Sequence, residues 1–287
     1  MRTIRGKIAL VTGAASGIGR ALTLELARAG AQLYLLDVNE FGLAEVVSLA
    51  KREGVEVIGR RCDVSQPSEI SGSVKDVLDR WGKVDLLINN AGITYYGKTD
   101  AMTADNWQQM LAINLQAPIQ FTHELLPTLL QQDEAHILNV ASILGLVGLA
   151  RVAAYSTSKF GLVGFSESLR AEYGRRGLGV TALCPGLVDT NLFSAAQLGQ
   201  DRQEPKQPPS FLLATPEKIA ACAVRAIRKN KRVVVLQPYA RLLHTTKRFV
   251  PGLLDWLQNL SRPRFSRKNG PQRSSSEVPA TSSRRAA

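Results

Sequence analysis

The chain is poor in cysteine, histidine and long apolar runs. Its three cysteines, Cys62, Cys184 and Cys222, are odd in number and far apart. That argues against a disulfide framework and for reduced thiols in a cytosol-like compartment. The three histidines, His123, His136 and His244, are scattered and make no metal-binding cluster along the chain. No apolar run approaches the roughly 20 residues that a membrane-spanning helix needs; residues 8–11 are typical. Residues 1–7 hold no apolar stretch, so no secretory leader is expected and the expected location is cytoplasmic. With 45% hydrophobic and 21% charged residues, the composition excludes a disordered or collagen-like protein.

Charge is present, but unevenly. The net charge over 287 residues is +12. Residues 1–224 hold 21 Lys/Arg against 22 Asp/Glu, whereas residues 225–287 hold 15 Lys/Arg against Asp255 and Glu277 alone. The body is neutral and the last quarter carries the whole excess, so a basic surface belongs to the C-terminal region only.

Short β-rich runs alternate with helical patterns. Strands are expected at residues 7–12, 32–37, 55–62, 86–89, 135–140, 179–184 and 233–236. Helices are expected at residues 18–29, 41–53, 107–131 and 155–175, the first two stopped by Gly30 and Gly54. Strands separated by helices of ten or more residues predict a doubly wound parallel α/β sheet covered on both faces. Residues 191–210 lose this pattern to Gln, Pro and charge and read as a mobile insertion. Residues 239–260 place Leu242, Thr246, Phe249, Leu253, Leu257 and Leu260 along one face, broken into two helices at Pro251-Gly252. Residues 261–287 are Ser, Arg and Pro with little apolar content, a basic tail expected to be disordered.

The first strand runs into Thr12-Gly13-Ala14-Ala15-Ser16-Gly17-Ile18-Gly19, and a helix follows at once. Such a turn brings backbone amides and a helix N-terminus to a pyrophosphate. Asp37 ends the second strand, 18 residues past Gly19. A carboxylate there can accept both ribose hydroxyls and repels a 2′-phosphate, which favours NAD over NADP. Asp63, with Val64 beside it, follows the third strand, near where an adenine amino group would lie. Asn89-Asn90-Ala91-Gly92 closes the fourth.

Tyr155 and Lys159 stand four apart on one helix and share a face. A nearby ammonium is expected to acidify the phenol and make it a usable base for an alcohol. Ser142 follows the fifth strand, and Asn114 interrupts an apolar helical pattern. Taken singly, each has a plain alternative: a surface pair, a turn residue, a satisfied core amide.

Together these motifs, in this order and with Pro185-Gly186 after the sixth strand, resemble the short-chain dehydrogenase/reductase family over roughly residues 5–240. The resemblance implies a single Rossmann-type domain of about seven parallel strands, with a substrate loop near residues 187–213. It implies Tyr155 as proton donor and acceptor, Lys159 as ribose ligand and pKa modifier, Ser142 as substrate-oxygen ligand, and Asn114 as holder of a relay water. Pro185, Gly186, Val188 and Thr190 would border the nicotinamide. No metal is implied, and a homodimer or homotetramer paired through the two long helices is. Asp37, followed by residues 233–236, Pro238 and residues 241–257, also looks like the hydroxysteroid and retinol dehydrogenase branch, which acts at lipid surfaces.

Residues Leu144, Leu146, Val147, Leu149 and Val152, with Leu192, Phe193, Leu198, Phe211, Leu212 and Leu213 after the Pro-Gly turn, predict an apolar substrate wall fit for a hydrophobic alcohol or ketone. Residues 239–260 suit an anionic membrane surface, or packing on their own domain or on a partner subunit, and basic residues 261–287 suit a solvated tail or a weak nucleic-acid contact driven by charge alone. The tail lacks the interleaved aromatics of a single-strand binder, so no specific nucleic acid is expected. The competing reading of the whole chain is a non-catalytic NAD-binding interaction protein that uses this tail.

Overall fold

The computed structural model describes residues 1–190, 209–253 and 256, with the backbone of 197–198. Nine strands and eight α-helices are defined among these residues. They are β1 (Ile8–Thr12), α1 (Gly17–Arg28), β2 (Gln32–Asp37), α2 (Glu40–Lys51), β3 (Val57–Arg61), α3 (Pro67–Trp81), β4 (Leu86–Asn89), β5 (Tyr95–Tyr96), α4 (Ala104–Leu111), α5 (Ala117–Leu129), β6 (Ala135–Val140), α6 (Ala153–Tyr173), β7 (Leu178–Cys184), β8 (Gln197–Leu198), α7 (Pro216–Arg228), β9 (Val233–Val235) and α8 (Pro238–Phe249).

Seven strands form one sheet in the order β3-β2-β1-β4-β6-β7-β9, and every pairing is parallel. This is the doubly wound sheet that the alternation of elements predicts. The inner strands β1, β4, β6 and β7 are buried along their whole length because both faces of the sheet are covered. In β2, Leu33 and Leu35 pack toward Leu22, Leu26, Val46 and Ile219, while Tyr34 and Leu36 pack toward Ile70, Val77, Phe121 and Leu125. β1 lies between β2 and β4, where the winding reverses, and a cleft opens at the strand ends there, as this topology dictates.

One polar thread crosses this apolar interior. Asn89 Nδ2 donates to Asn139 Oδ1 at 2.8 Å, Asn139 Nδ2 donates to Ser166 Oγ at 2.8 Å, and Ser166 Oγ donates to the Leu162 carbonyl at 2.6 Å. It ties β4 to β6 and β6 to α6.

Several element bounds differ from the sequence expectation. The pattern expected as one helix over residues 107–131 is α4 and α5 joined by a π-helical turn, Ala112–Gln116, that contains Asn114. α6 starts two residues earlier than expected, at Ala153. α3 was not singled out from the sequence. α8 departs most. Leu242, Thr246 and Phe249 lie at helical spacing on one face, and that face is turned outward: Ala240 is buried and Leu243 packs inward, whereas Leu242 and Phe249 are exposed beside Arg241 and Arg248. The expected break falls at Val250, and Leu253 and Trp256 beyond it are exposed. The tail over 261–287, and Leu257 and Leu260, lie outside the described residues. Among the described residues, no helix is long and apolar enough to cross a membrane.

Candidate active site

β1 ends in a turn that only glycine permits at its tightest points. Gly13 has φ +65°, and a Cβ on it would lie 2.8 Å from Ala91 Cα. A Cβ on Gly19 would lie 1.9 Å from the Gly13 carbonyl oxygen, so Gly19 shapes the turn from behind. Thr12 Oγ1 accepts the amides of Asn90 and Ala91, each at 3.0 Å, and Asn90 Nδ2 donates to the carbonyls of Thr12 and Gly13. The β4 end thus holds the turn in shape. Ser16 precedes α1 without capping it through its side chain, and no acidic residue lies in the first turn. The leading amides of α1 are left to a ligand from solution, and the helix N-terminus favours an anion there.

A cavity of about 550 Å³ runs from this turn across the sheet ends. Its walls include Gly13, Ser16, Gly17, Ile18, Asp37, Asp63, Val64, Asn90 and Ala91, with Thr190 against Gly17, and Ser142, Tyr155, Lys159, Pro185, Gly186 and Val188, with Gly92 beside Lys159. The Asp37 carboxylate is oriented by two backbone amides, those of Ala15 and Asn39, each at 2.9 Å. The shape and donors fit a dinucleotide: free amides for a pyrophosphate, and an oriented carboxylate for ribose hydroxyls.

At the far end, Ser142 Oγ accepts the Leu144 amide at 3.1 Å and caps the turn Ile143–Gly145. Its proton is thereby free to be donated elsewhere, and Ser142 acts on the Tyr155 phenol, lowering its pKa. Lys159 Nζ donates to the Val140 carbonyl at 2.9 Å and lies 5.6 Å from the Tyr155 ring centre. Burial pushes the Tyr155 phenol up to about 12, against the lowering effect of Ser142. Burial also pushes the Lys159 ammonium down to about 8. Lys159 does not figure among the groups that shift Tyr155, and its ammonium is engaged by the Val140 carbonyl.

Asn114 is fully buried and does not line the cavity. Its Oδ1 accepts the Ile93 amide and its Nδ2 donates to the Ile93 carbonyl, both at 2.9 Å. Nδ2 also reaches Ser158 Oγ at 3.2 Å, which donates to the Tyr155 carbonyl at 2.7 Å. Asn114 therefore braces the loop segment that follows Gly92 and the helix turn that carries Tyr155. A π turn at a functional site is a recurrent device, and it gives this amide its place.

The expected apolar wall needs correction. Leu144, Leu146, Val147 and Val152 belong to the packed cluster around Tyr155 and do not line the cavity, Leu149 is largely exposed, and Phe211 is 82% exposed. The apolar lining comes instead from Ile93, Ile113, Val140 and Ala141. Leu192 and Phe193, and the side chain of Leu198, lie outside the described residues. Sequence reading also missed Arg20, Cys62, Asp189, Pro216 and Glu217 on the wall. Thr215-Pro216-Glu217 carried a readable signal, since Thr215 caps α7 by accepting the Lys218 amide, with Pro at the first position.

With this geometry in place, comparison with known proteins defines the class: the short chain dehydrogenase family model matches residues 7–201. The chain belongs to the short-chain dehydrogenase/reductase family and is an oxidoreductase of the NAD(P)-dependent kind. It is 32% identical to the 3-oxoacyl-(acyl-carrier-protein) reductase FabG of Vibrio cholerae over 218 residues, 76% of this chain and 88% of that protein. A short-chain dehydrogenase from Burkholderia phymatum in complex with NAD superposes with a TM-score of 0.78 at 28% identity, covering 92% of this chain and 99% of the other. An alcohol dehydrogenase from Thermococcus sibiricus, complexed with 5-hydroxy-NADP, gives 0.71 at 25% identity over 81% and 96%.

Proposed function

We propose that the protein transfers a hydride between NAD(H) and the carbinol or carbonyl carbon of a hydrophobic alcohol or ketone. The observation that carries this reading is the meeting of Ser142, Tyr155 and Lys159 at one end of a cavity whose other end is the Gly13–Gly19 turn and Asp37. A bound nicotinamide dinucleotide supplies the hydride acceptor or donor. Asp37 accepts ribose hydroxyls and disfavours a 2′-phosphate. Ser142 donates to the substrate oxygen. Tyr155 takes the alcohol proton in oxidation and returns one in reduction. Lys159, leaving the Val140 carbonyl, donates to ribose and favours the phenolate when Tyr155 ionises. Asn114 holds the turns behind both groups. The ketoacyl chemistry in the name of the Vibrio relative is one ketone class that fits an apolar wall of Ile93, Ile113, Val140 and Ala141.

The test is turnover of a panel of secondary alcohols and ketones with NAD(H) and NADP(H), for the wild type and Tyr155→Phe. Activity that Tyr155→Phe abolishes supports the reading. Dinucleotide binding without turnover of any panel member would favour the non-catalytic alternative.

The outward face of α8 favours a second role. Leu242, Phe249, Leu253 and Trp256 are exposed beside Arg241 and Arg248, at the start of the basic region. Such a face suits peripheral contact with an anionic bilayer. Flotation with phosphatidylserine vesicles should drop for a Phe249→Ser, Trp256→Ser double variant; equal flotation rules the contact out. Ile119 on α5 and Phe160 on α6 are also part-exposed, which favours pairing of copies through these helices. Light scattering that gives a monomer mass would exclude it.

A further inference from the structure

Gln237 and Tyr239 grip the loop that follows β7. Gly186 N donates to Gln237 Oε1 at 2.8 Å, Gln237 Nε2 donates to the Leu187 carbonyl at 2.8 Å, and Leu187 N donates to Tyr239 OH at 2.5 Å. Side chains at the start of α8 thus pair with the backbone as a neighbouring strand would. Gln237 sits at the N-cap position of α8, yet its side chain makes no capping bond; it is only 7% exposed and turned to the loop. A Cβ on Gly186 would lie 2.2 Å from Tyr239 OH, so only glycine leaves room for the phenol. The loop's other flank is also fixed: Ala214 N donates to the Leu187 carbonyl and Ile143 N to the Pro185 carbonyl. Pro185, Gly186, Val188, Asp189 and Thr190 face the cavity, and Leu187, the residue gripped at both its amide and its carbonyl, does not line it.

We infer that Gln237 and Tyr239 are positioning residues that set the loop 185–190 against the nicotinamide end of the cavity, making α8 part of the cofactor-binding apparatus. This rests on the proposed function for the identity of the ligand, though not for the grip itself. Removing the grip leaves the chemistry of Tyr155 and Ser142 in place and frees the wall on which the cofactor rests. The cost therefore falls on cofactor affinity, with the KM of the second substrate at saturating cofactor unchanged.

The test uses the full chain carrying Gln237→Met, Tyr239→Phe, or both. Gln237→Met keeps the length and loses both bonds; Tyr239→Phe keeps the ring and loses one acceptor. Hydrogen exchange of the unliganded protein should speed about 10-fold at the Gly186 and Leu187 amides in the double variant, and the NADH dissociation constant by calorimetry should rise about 10-fold. Tyr239→Phe should show an intermediate effect, and it carries the test alone if Gln237→Met does not fold. Unchanged exchange, or unchanged NADH affinity in a variant whose melting temperature has fallen, overturns the inference and leaves a merely structural brace. A wild type that binds no dinucleotide overturns the proposed function instead, and the exchange measurement then decides the grip on its own.

Discussion

Asn114 and Ile93 exchange two hydrogen bonds: the amide oxygen accepts the Ile93 N–H and the amide nitrogen donates to the Ile93 carbonyl, both at 2.9 Å. A side chain thereby replaces a neighbouring strand for a residue of the segment after β4 that lines the cavity wall. Asn114→Ala should leave both backbone groups of Ile93 without partners. Urea unfolding should show a loss of about 2–4 kcal/mol, and kcat should fall at least about 10-fold, since Tyr155 loses its brace through Ser158. A variant of unchanged stability would show that water replaces the amide without cost.

Lys159 gives a pH dependence of cofactor binding. Its ammonium is pushed down to about 8 by burial, so it is charged below that pH and neutral above it. Only the charged form donates fully to a ribose. NADH affinity should therefore be highest below pH 8 and weaken as pH rises through 8. Lys159→Arg, charged throughout, should flatten the profile. A wild-type profile that is level from pH 6 to 10 contradicts the assignment.

His136 gives an acid limit to stability. It is buried against Thr181, its Nε2 at 2.9 Å from the hydroxyl, and desolvation pushes it down to about 3. The unfolded chain takes up this proton near pH 6.5, whereas the folded chain stays neutral until about 3. The unfolded state thus binds more protons between these values, and stability falls as pH drops below 6.5, by roughly 1.4 kcal/mol per pH unit. Urea midpoints at pH 7, 5.5 and 4.5 should show this slope, and His136→Gln should reduce it. The same slope in both proteins would place the acid sensitivity elsewhere.

Asp37 should decide between the two dinucleotides. Asp37→Ser removes the charge while keeping a hydrogen-bonding group, and the ratio of kcat/KM for NADP over NAD should rise at least about 100-fold. A wild type that already prefers NADP would show that Arg20, on the same wall, outweighs the carboxylate.

The parts of this molecule legible in the sequence are those whose signal is local. A strand followed by Gly13, Gly17 and Gly19, then a helix, announces its own turn, and Tyr155 and Lys159 need only a helix to share a face. Contacts made between distant segments left no such mark. Gln237 lies 51 residues from the amide it accepts, and nothing near it in the chain announces that loop. The apolar residues after Ser142 misled for the same reason: composition says that a residue is apolar, not which side of a turn it faces. Asn114 was conspicuous as an oddity in a helix, but its reason, a π turn pointing an amide at Ile93, emerges only from three dimensions.

The thread from Asn89 through Asn139 to Ser166 has a consequence for how the chain finds its arrangement. Strands such as Leu86–Asn89 and Ala135–Val140 are oily on both sides, so sliding one past the other by a residue would cost little in greasy contact alone. Two amides and a hydroxyl that fit together in a single alignment act as a key in a lock. A slipped pairing would strand them in a dry interior, and the misassembled sheet would be rejected before it could set.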